Sequence, residues 1–472
     1  MRRYEQLITH VAGLIRDGTL RVGDRAPSVR QISRDFGSSP GTVIHAYELL
    51  QARGYLQARP RSGFYVSGAW RTEDDQPRAS RPTRRPAQPD VSELVFSVLE
   101  AVRVRHLVPL GSAFPGHDLF PLRQLARDLT YSVRHFDAWS TVEDLPPGNE
   151  SLRRQIAQRY RLRGAAVSAD EIVITSGALE ALNLALQVIT RPNDIVAIES
   201  PAFYGCLQAI ESLGRRALEV PTHPRFGVEV GELEKLLERH DVRACWFMTR
   251  LQNPLGATMT EAERRRLVQV LAEREIPLIE DNVYAELGFD EAHTARAAKV
   301  HDKSGLVLDC SSFSKCLAPG YRIGWVAAGR FASALWRRKI MSSLATMIPA
   351  QAALARYLAR GLYERHLRVL RRELARRQRV FIAAMERHLP AQMKWTRPEG
   401  GYLLWAELPP GVDAIELHRA ALERGISIAP GPIFSARQDY RHAIRLNYGH
   451  PWTARVDSAL RTLGSLISKR MR

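Results

Sequence analysis

From Ile172 to Trp325 short apolar runs alternate with segments of helical spacing, and this alternation decides the fold class. The runs EIVIT, DIVAIE, ACWFM, PLIE, LVLDC and GWVAA are short strand signals set between helices. That pattern predicts an α/β fold, a mostly parallel sheet with helices on both faces. Open sheets of this kind take their ligands at strand ends, so chemistry is to be sought in the residues just after each run. The chain has 472 residues, too many for one ordinary domain, which predicts two or three. Its 45% hydrophobic content is ample for a substantial core.

The run GLVLDC leads into Ser311–Trp325, SSFSKCLAPGYRIGW. Lys315 there stands on a loop at a strand end among small hydroxyl residues, with Arg322 seven positions on. A lysine that forms an imine with an aldehyde cofactor needs a sheltered pocket, and a cofactor phosphate needs hydroxyls and a guanidinium. Ser312, Ser314 and Arg322 meet the second need; the plain alternative is a surface lysine near a loop arginine. Asp281 and Tyr284 lie in LIEDNVYAEL, where a buried carboxylate can keep the pyridine nitrogen of pyridoxal phosphate protonated and the phenol can bond the ring's oxygen. Asn253, in the turn QNPLG after ACWFM, can donate to the same oxygen. Ser176, Gly177 and Ala178 follow EIVIT and open the helix ALEALNLALQVI; strand, glycine turn and helix N-terminus together form an anion cradle.

With these motifs in this order, residues from about 105 to 470 resemble the aminotransferase fold of pyridoxal phosphate enzymes known as fold type I. The 28-residue step from Asn253 to Asp281 fits the same family. The resemblance implies that Phe203, in ESPAFYG, stacks on the cofactor and that Arg445, in AIRLNYG, clamps a substrate α-carboxylate. It also places HLVPLGSAFPGHDLFP by that carboxylate. A tyrosine is frequent before the PPG of LPPGNE in that family; Glu143 and Asp144 stand in that neighbourhood here.

Residues 4–68 form a unit of their own. Leu7, Val11, Leu14 and Ile15 give Tyr4–Arg16 helical spacing, ahead of a turn at Asp17-Gly18. Ser28 caps a second short helix ended by Gly37, and Ser39 caps a third with Pro40 at its first position, where no amide donor is lost. That third helix turns Val43, Ala46, Tyr47, Leu49 and Leu50 inward. Two strands, YLQAR and FYVSG, joined by Pro60-Arg61-Ser62-Gly63, complete a winged helix-turn-helix. The segment, including GTLRVGDRAPSVR and TVIHAYELLQARGYL, resembles the GntR class of bacterial regulators. The resemblance implies a double-stranded DNA operator as partner, with Arg30 and the hairpin tip (Arg61, Ser62, Gly63) in contact and the third helix in the major groove. The chain departs from the common pattern at Ala26, where leucine is usual, and at Pro40, Ile44 and His45, where arginines are frequent. Binding then rests on Arg30, Arg61, backbone amides and the hydroxyls of Ser39 and Thr42.

Residues 69–92 change character: Pro77, Pro82, Pro86 and Pro89 lie among charges with few apolar residues, the composition of a partly extended, solvated tether. The balance of 68 Lys+Arg against 50 Asp+Glu gives +18 and points to a polyanion partner without locating its surface. Arg356–Arg379 holds nine arginines and an apolar side (Leu358, Leu362, Leu367, Leu370, Leu374), read as one long amphipathic helix with a solvated basic face or a phosphate-facing strip. Residues 380–470 read as a smaller α/β domain that brings Arg445 to the cofactor. Cys206, Cys245, Cys310 and Cys316 show no metal-ligand spacing and suit a reducing cytosol. No signal peptide opens the chain, and no run of about 18 apolar residues predicts a membrane span.

A GntR-like reader (1–68), a linker (69–92) and an aminotransferase-like body (93–472, with a small subdomain from about 380) make the layout of the MocR-type regulators. The resemblance implies a cytoplasmic, homodimeric, cofactor-dependent regulator that senses an amine or amino-acid effector, or the cofactor itself. Lys315, Asp281, Asn253 and Arg445 leave turnover open, so the alternative is an active aminotransferase that carries a reader.

Overall fold

The computed structural model describes residues 3–16, 19–21, 23–52, 55–59, 62–67, 76–102, 107–136, 145–289 and 296–471. The chain divides into two compact units, the first Met1–Gln76 with Ile382–Arg387 and the second Pro77–Phe381 with His388–Arg472.

In the first unit α1 (Arg3–Arg16), α2 (Val29–Asp35) and α3 (Pro40–Ala52) precede the antiparallel strands β1 (Leu56–Arg59) and β2 (Gly63–Val66). Leu7, Val11 and Ile15 from α1 pack with Val43, Ala46, Tyr47 and Leu50 from α3, and Ala26 and Ile32 join them. Leu14 and Leu49, expected inside, are only half-buried. The caps follow from side-chain chemistry: Ser28 Oγ accepts from Gln31 N–H at 3.2 Å, and Ser39 Oγ accepts from Thr42 N–H at 3.2 Å. Tyr47 donates to the Pro27 carbonyl at 2.8 Å and meets Phe64 edge-on, so α3 is locked to both α2 and the wing. Gly63, assigned to the turn, is the first residue of β2 with φ +101°.

The second unit opens with α4 (Ser92–Val102), β3 (Val108–Pro109), α5 (Leu122–Arg134) and α6 (Glu150–Leu162). Its eight-stranded sheet has the order β4 (Ile172–Thr175), β11 (Gly324–Ala327), β10 (Val307–Ser312), β9 (Leu278–Asp281), β8 (Val242–Phe247), β5 (Ile195–Ser200), β6 (Arg216–His223) and β7 (Gly227–Val228). Neighbours from β10 to β6 are parallel, and β11 and β7 run the other way. Every residue of β4, β5, β9, β10 and β11 is buried, as a sheet covered on both faces requires. Helices α7 (Ala178–Ile189), α8 (Tyr204–Ser212), α9 (Val230–Leu237) and α10 (Glu261–Glu273) lie between the strands in sequence. Because β5, β8, β9 and β10 are parallel, Ser200, Phe247, Asp281 and Ser312 all end at one edge.

Beyond the sheet come α11 (Ala332–Ser343), α12 (Ile348–Ala359) and α13 (Leu362–His388). The arginine-rich stretch from Arg356 is therefore not one helix: Gly361, at φ +68°, takes the left-handed conformation that ends α12 and lets α13 start afresh. A second, antiparallel sheet has the order β12 (Lys394–Trp395), β13 (Leu403–Glu407), β16 (Ala443–Asn447) and β15 (Ala429–Pro430), with α14 (Ala414–Leu422) and α15 (Ala454–Arg470) beside it in sequence. The short strand β14 (Ile426–Ser427) pairs in parallel with β3, so this smaller layer also takes in residues that precede the large sheet. Among the described residues no helix is long and apolar enough to cross a membrane, and no cluster of three His, Cys, Asp or Glu is placed to hold a metal.

Residues 77–92 do not behave as a solvated tether. Ala87 pairs with Ala217 on the open edge of β6, its N–H reaching the Ala217 carbonyl at 2.9 Å. Ser80 N–H donates to the Thr222 carbonyl at 3.1 Å, and Ser80 Oγ accepts from Thr222 N–H at 2.8 Å. Arg84 pairs with Glu232 at 2.8 Å. The strap covers an edge strand that would otherwise offer unpaired amides. Hydrogen exchange tests it: the amides of Ser80 and Ala87 are expected to exchange as slowly as neighbouring sheet amides, and exchange at the open-chain rate would return the strap to a free tether.

Candidate functional site

At the carboxyl edge of the large sheet, β4 ends at Thr175 and α7 begins at Ala178, with Gly177 between them at φ +86°. A side chain on Gly177 would place Cβ 2.6 Å from the Arg322 guanidinium, so only glycine lets the arginine reach this turn. Arg322 itself sits in the left-handed region at φ +53°, an uncommon state for a non-glycine residue that marks a constrained site. Its guanidinium donates to the Ser176 carbonyl at 3.2 Å and to Ser314 Oγ at 3.4 Å. Ser312 Oγ accepts from Ser314 N–H at 3.2 Å. Ser176 N–H is taken by the Glu180 side chain, which leaves the cradle to the first-turn amides of α7 from Ala178 onward and to Arg322. The cluster gathers donors and one cation around a space suited to a phosphate.

Lys315 lies on the loop after β10. Its Nζ donates to the Ala113 carbonyl at 2.9 Å and stands 3.9 Å from the centre of the Phe114 ring. Burial, then the positive charges of Arg445 and Arg322, lower its pKa to about 7, against a smaller opposing pull from Asp281. Near neutral pH this lysine is therefore substantially the free amine, a competent nucleophile.

Asp281 closes β9 with no exposed surface. Its Oδ1 accepts from Val283 N–H at 3.2 Å and its Oδ2 has no partner. Burial raises its pKa to about 7. A buried carboxylate oxygen without a donor is costly, and a protonated ring nitrogen would supply one. Asn253 turns its Oδ1 to Arg445 at 2.9 Å and leaves its Nδ2 unpartnered. Tyr284, buried in the first turn after β9, lies edge-on to Tyr402 at 5.5 Å.

Arg445, in the middle of β16, is 1% exposed. One terminal nitrogen donates to Asn253 and the other to the Gly111 carbonyl at 2.7 Å, while Nε has no partner. Its nearby titratable groups are Tyr204, Tyr284 and Tyr402; among the described residues no carboxylate pairs with it. A buried cation without a counter-ion is unfavourable by several kcal/mol, and an anion from outside would offset that cost.

Phe203 stands at the start of α8, half-buried, its ring against Gly205. Three aromatic residues of this region escaped sequence reasoning. Phe114 faces Lys315. The Tyr204 ring lies 6.0 Å from the Arg445 guanidinium, and Tyr402 donates to the Ala113 carbonyl at 3.2 Å. Phe114 lies in the stretch HLVPLGSAFPGHDLFP already placed by the carboxylate, and Tyr204 adjoins Phe203 in ESPAFYG, but neither was singled out; for Tyr402 the glycine pair before it was the available signal. In the first unit Arg30 and Ser39 are exposed and Thr42 half-buried. Ser39 and Thr42 hydroxyls bond each other at 2.9 Å, and Ser62 bonds the Tyr65 hydroxyl at 2.7 Å. Arg61, Glu143 and Asp144 lie outside the described residues.

Residues 140–463 match the model of aminotransferase class I and II, and residues 3–66 that of the bacterial regulatory proteins of the gntR family. The HTH-type transcriptional regulator YdcR of Escherichia coli is 45% identical over the full length of both chains. The chain is a MocR-type regulator. Its aminotransferase-like part is similar to solved enzymes: a kynurenine aminotransferase of Pyrococcus horikoshii, in complex with PMP (TM-score 0.75, 29% identity, 81% of this chain and 96% of that one), and the α-aminoadipate aminotransferase LysN of Thermus thermophilus, complexed with N-(5'-phosphopyridoxyl)-L-leucine (TM-score 0.73, 28% identity, 80% and 95%). This MocR-type chain thus joins a GntR reader to an aminotransferase fold.

With a pKa of about 7, Lys315 of the cofactor-free protein is expected to react with an amine-selective acylating reagent fastest above neutral pH. Its rate should fall about tenfold per pH unit below pH 7, as the amine becomes the ammonium. Peptide mass mapping across pH reads this site by site; a midpoint near 10.5 would mean that the pocket does not perturb the lysine.

Proposed function

We propose that the chain is a DNA-binding transcription regulator that holds pyridoxal phosphate at Lys315 and responds to an α-amino acid. The observation that carries the reading is the buried Arg445, without a carboxylate partner among the described residues, in the same cleft as a lysine whose pKa burial lowers to about 7. One group calls for a carboxylate and the other for a carbonyl carbon, and an α-amino acid on an aldehyde cofactor meets both. When bound, pyridoxal phosphate supplies that aldehyde and a ring that withdraws electrons. The unpartnered Asp281 oxygen fits the ring nitrogen, the Asn253 amide and Tyr284 fit the ring oxygen, and Phe203 fits the ring face. The Ala178 amide, the hydroxyls of Ser176, Ser312 and Ser314, and Arg322 fit the phosphate, and Gly177, its own N–H held by the Thr175 carbonyl, keeps the turn open.

In the reader, Arg30, Ser39, Thr42, Ser62 and Gly63 are the proposed DNA contacts, with Arg61 at the hairpin tip. A third helix with no lysine or arginine between Pro40 and Ala52 supplies few phosphate contacts, so two readers in one homodimer give useful affinity. Met341 at the end of α11 and Leu344 and Met347 in the loop to α12 stand exposed, and Thr346 in the same loop touches the Ser176 hydroxyl at 3.5 Å. That exposed apolar loop beside the phosphate cradle supports a second copy completing the site. A working aminotransferase is the second reading, favoured by the same neutral lysine. Sustained keto-acid product from amino acid and keto acid would make it an enzyme, whereas a sensor shows spectral change without turnover.

Borohydride treatment of the loaded protein should fix the cofactor's mass on Lys315, and Lys315→Ala should lose the visible band while staying folded; a full band in the variant would misplace the lysine. Arg445→Ala should weaken α-amino acids by roughly 10–150-fold, about 1.5–3 kcal/mol, and keep the cofactor. Unchanged affinity in an absorbance titration would remove the carboxylate from the account.

A further inference from the structure

Beside Arg445 the cleft is hollowed into a recess. Its walls are Val95, Val98 and Leu99 of α4, the rings of Phe114 and Tyr204, and Ile433. The backbone of Gly111, Ser112 and Ala113 borders it, and its carbonyls are already spent. The Gly111 carbonyl takes Arg445 at 2.7 Å. The Ala113 carbonyl takes Lys315 at 2.9 Å and Tyr402 at 3.2 Å. The Ser112 and Phe114 carbonyls both take the Asn447 amide at 2.8 Å. Ser112 Oγ accepts from Phe114 N–H at 3.0 Å. Apart from the Tyr204 and Ser112 hydroxyls, the side chains of the recess offer hydrocarbon, and Arg445 is the one charged side chain on its wall. The helix that forms its apolar side is anchored, since Glu211 accepts from Val91 N–H at 3.2 Å and from Ser92 Oγ at 3.0 Å.

An α-amino acid presents amine, carboxylate and side chain from a single carbon. With the amine at Lys315 and the carboxylate on Arg445, the recess is the wall that meets the side chain. We infer that the effector is an α-amino acid with an apolar side chain, leucine- or phenylalanine-like, and that Val95, Val98, Leu99 and Ile433 select it against aspartate and glutamate. The inference rests on the reading of Lys315 and Arg445 above. An apolar side chain gains from leaving water, and one methylene in such a pocket is worth on the order of tenfold in discrimination. A second carboxylate would enter a recess whose one cation is already engaged, leaving a buried charge without a partner.

The test uses the full chain loaded with pyridoxal phosphate and follows its absorbance during titration with leucine, phenylalanine, alanine, aspartate and glutamate. Leucine and phenylalanine should bind at least about tenfold more tightly than alanine and about a hundredfold more tightly than aspartate. Leu99 is 38% exposed, so α4 tolerates a long side chain there. Leu99→Arg should narrow the gap between leucine and aspartate by about tenfold or more, and Leu99→Ala should weaken phenylalanine more than alanine; cofactor content is measured first in both. Acidic amino acids that bind as tightly as leucine, or alanine that does, would overturn the recess while leaving Lys315 and Arg445 in their roles. If no amino acid of any class shifts the band of unreduced protein whose cofactor a separate borohydride-treated sample locates at Lys315, the recess and the amino-acid reading fall together.

Discussion

A buried guanidinium without an acid is the constraint around which the second unit is arranged. Arg445 is carried on the middle of a strand, pinned through Asn253 and the Gly111 carbonyl, and left with one nitrogen free. Held this way it cannot relax toward water, and the unfavourable desolvation of its charge is offset only when an anion arrives. The same charge acts on Lys315: with Arg322 it makes up the positive field that, after burial, brings the lysine to about 7. An anion on Arg445 cancels part of that field and favours the ammonium form of the lysine. Carboxylate binding and the state of the amine are thus linked through one electrostatic environment.

The proposed phosphate cradle depends on close backbone approach as well as on the charge of Arg322. Gly177 and Gly324 are needed because a side chain at either would collide with the opposite wall: at Gly177 with the Arg322 guanidinium, at Gly324 with the Gly177 and Ala178 backbone at 2.5 and 2.8 Å. Two strands that run opposite ways, β4 and β11, are brought this close by their mutual hydrogen bonds. Their turns then meet the loop that carries Lys315, Ser314 and Arg322. Few degrees of freedom remain for the site.

The parts legible in the sequence are those whose physics is local or periodic. Buried parallel strands leave continuous apolar runs, and residues such as Lys315, Asp281 and Asn253 follow those runs immediately, so the alternation located both sheet and cleft. Capping serines and Pro40 gave the reader's helices for the same reason. What escaped depends on tertiary placement. Residues 77–92 have a linker's composition, yet they dock through backbone amides on β6, which composition does not encode. Gly361 looked like a tolerable glycine inside a helix until its left-handed φ divided α12 from α13. Phe114, Tyr204 and Tyr402 were not singled out, although the first two lie in stretches placed at the site, because an aromatic facing a cleft and one facing a core have the same sequence neighbours.

What makes such a site regulatory is coupling to the reader, and coupling is reciprocal: the factor by which an amino acid changes operator affinity must equal the factor by which operator changes amino-acid affinity. The decisive measurement is therefore a pair of titrations on the loaded full chain, with a promoter fragment the protein retains from its own genome. One follows leucine binding by absorbance with and without that DNA, the other DNA binding with and without saturating leucine. The account predicts the same factor, different from one, in both. Identical leucine affinity with and without DNA would show that the cleft and the reader do not communicate, and would contradict it.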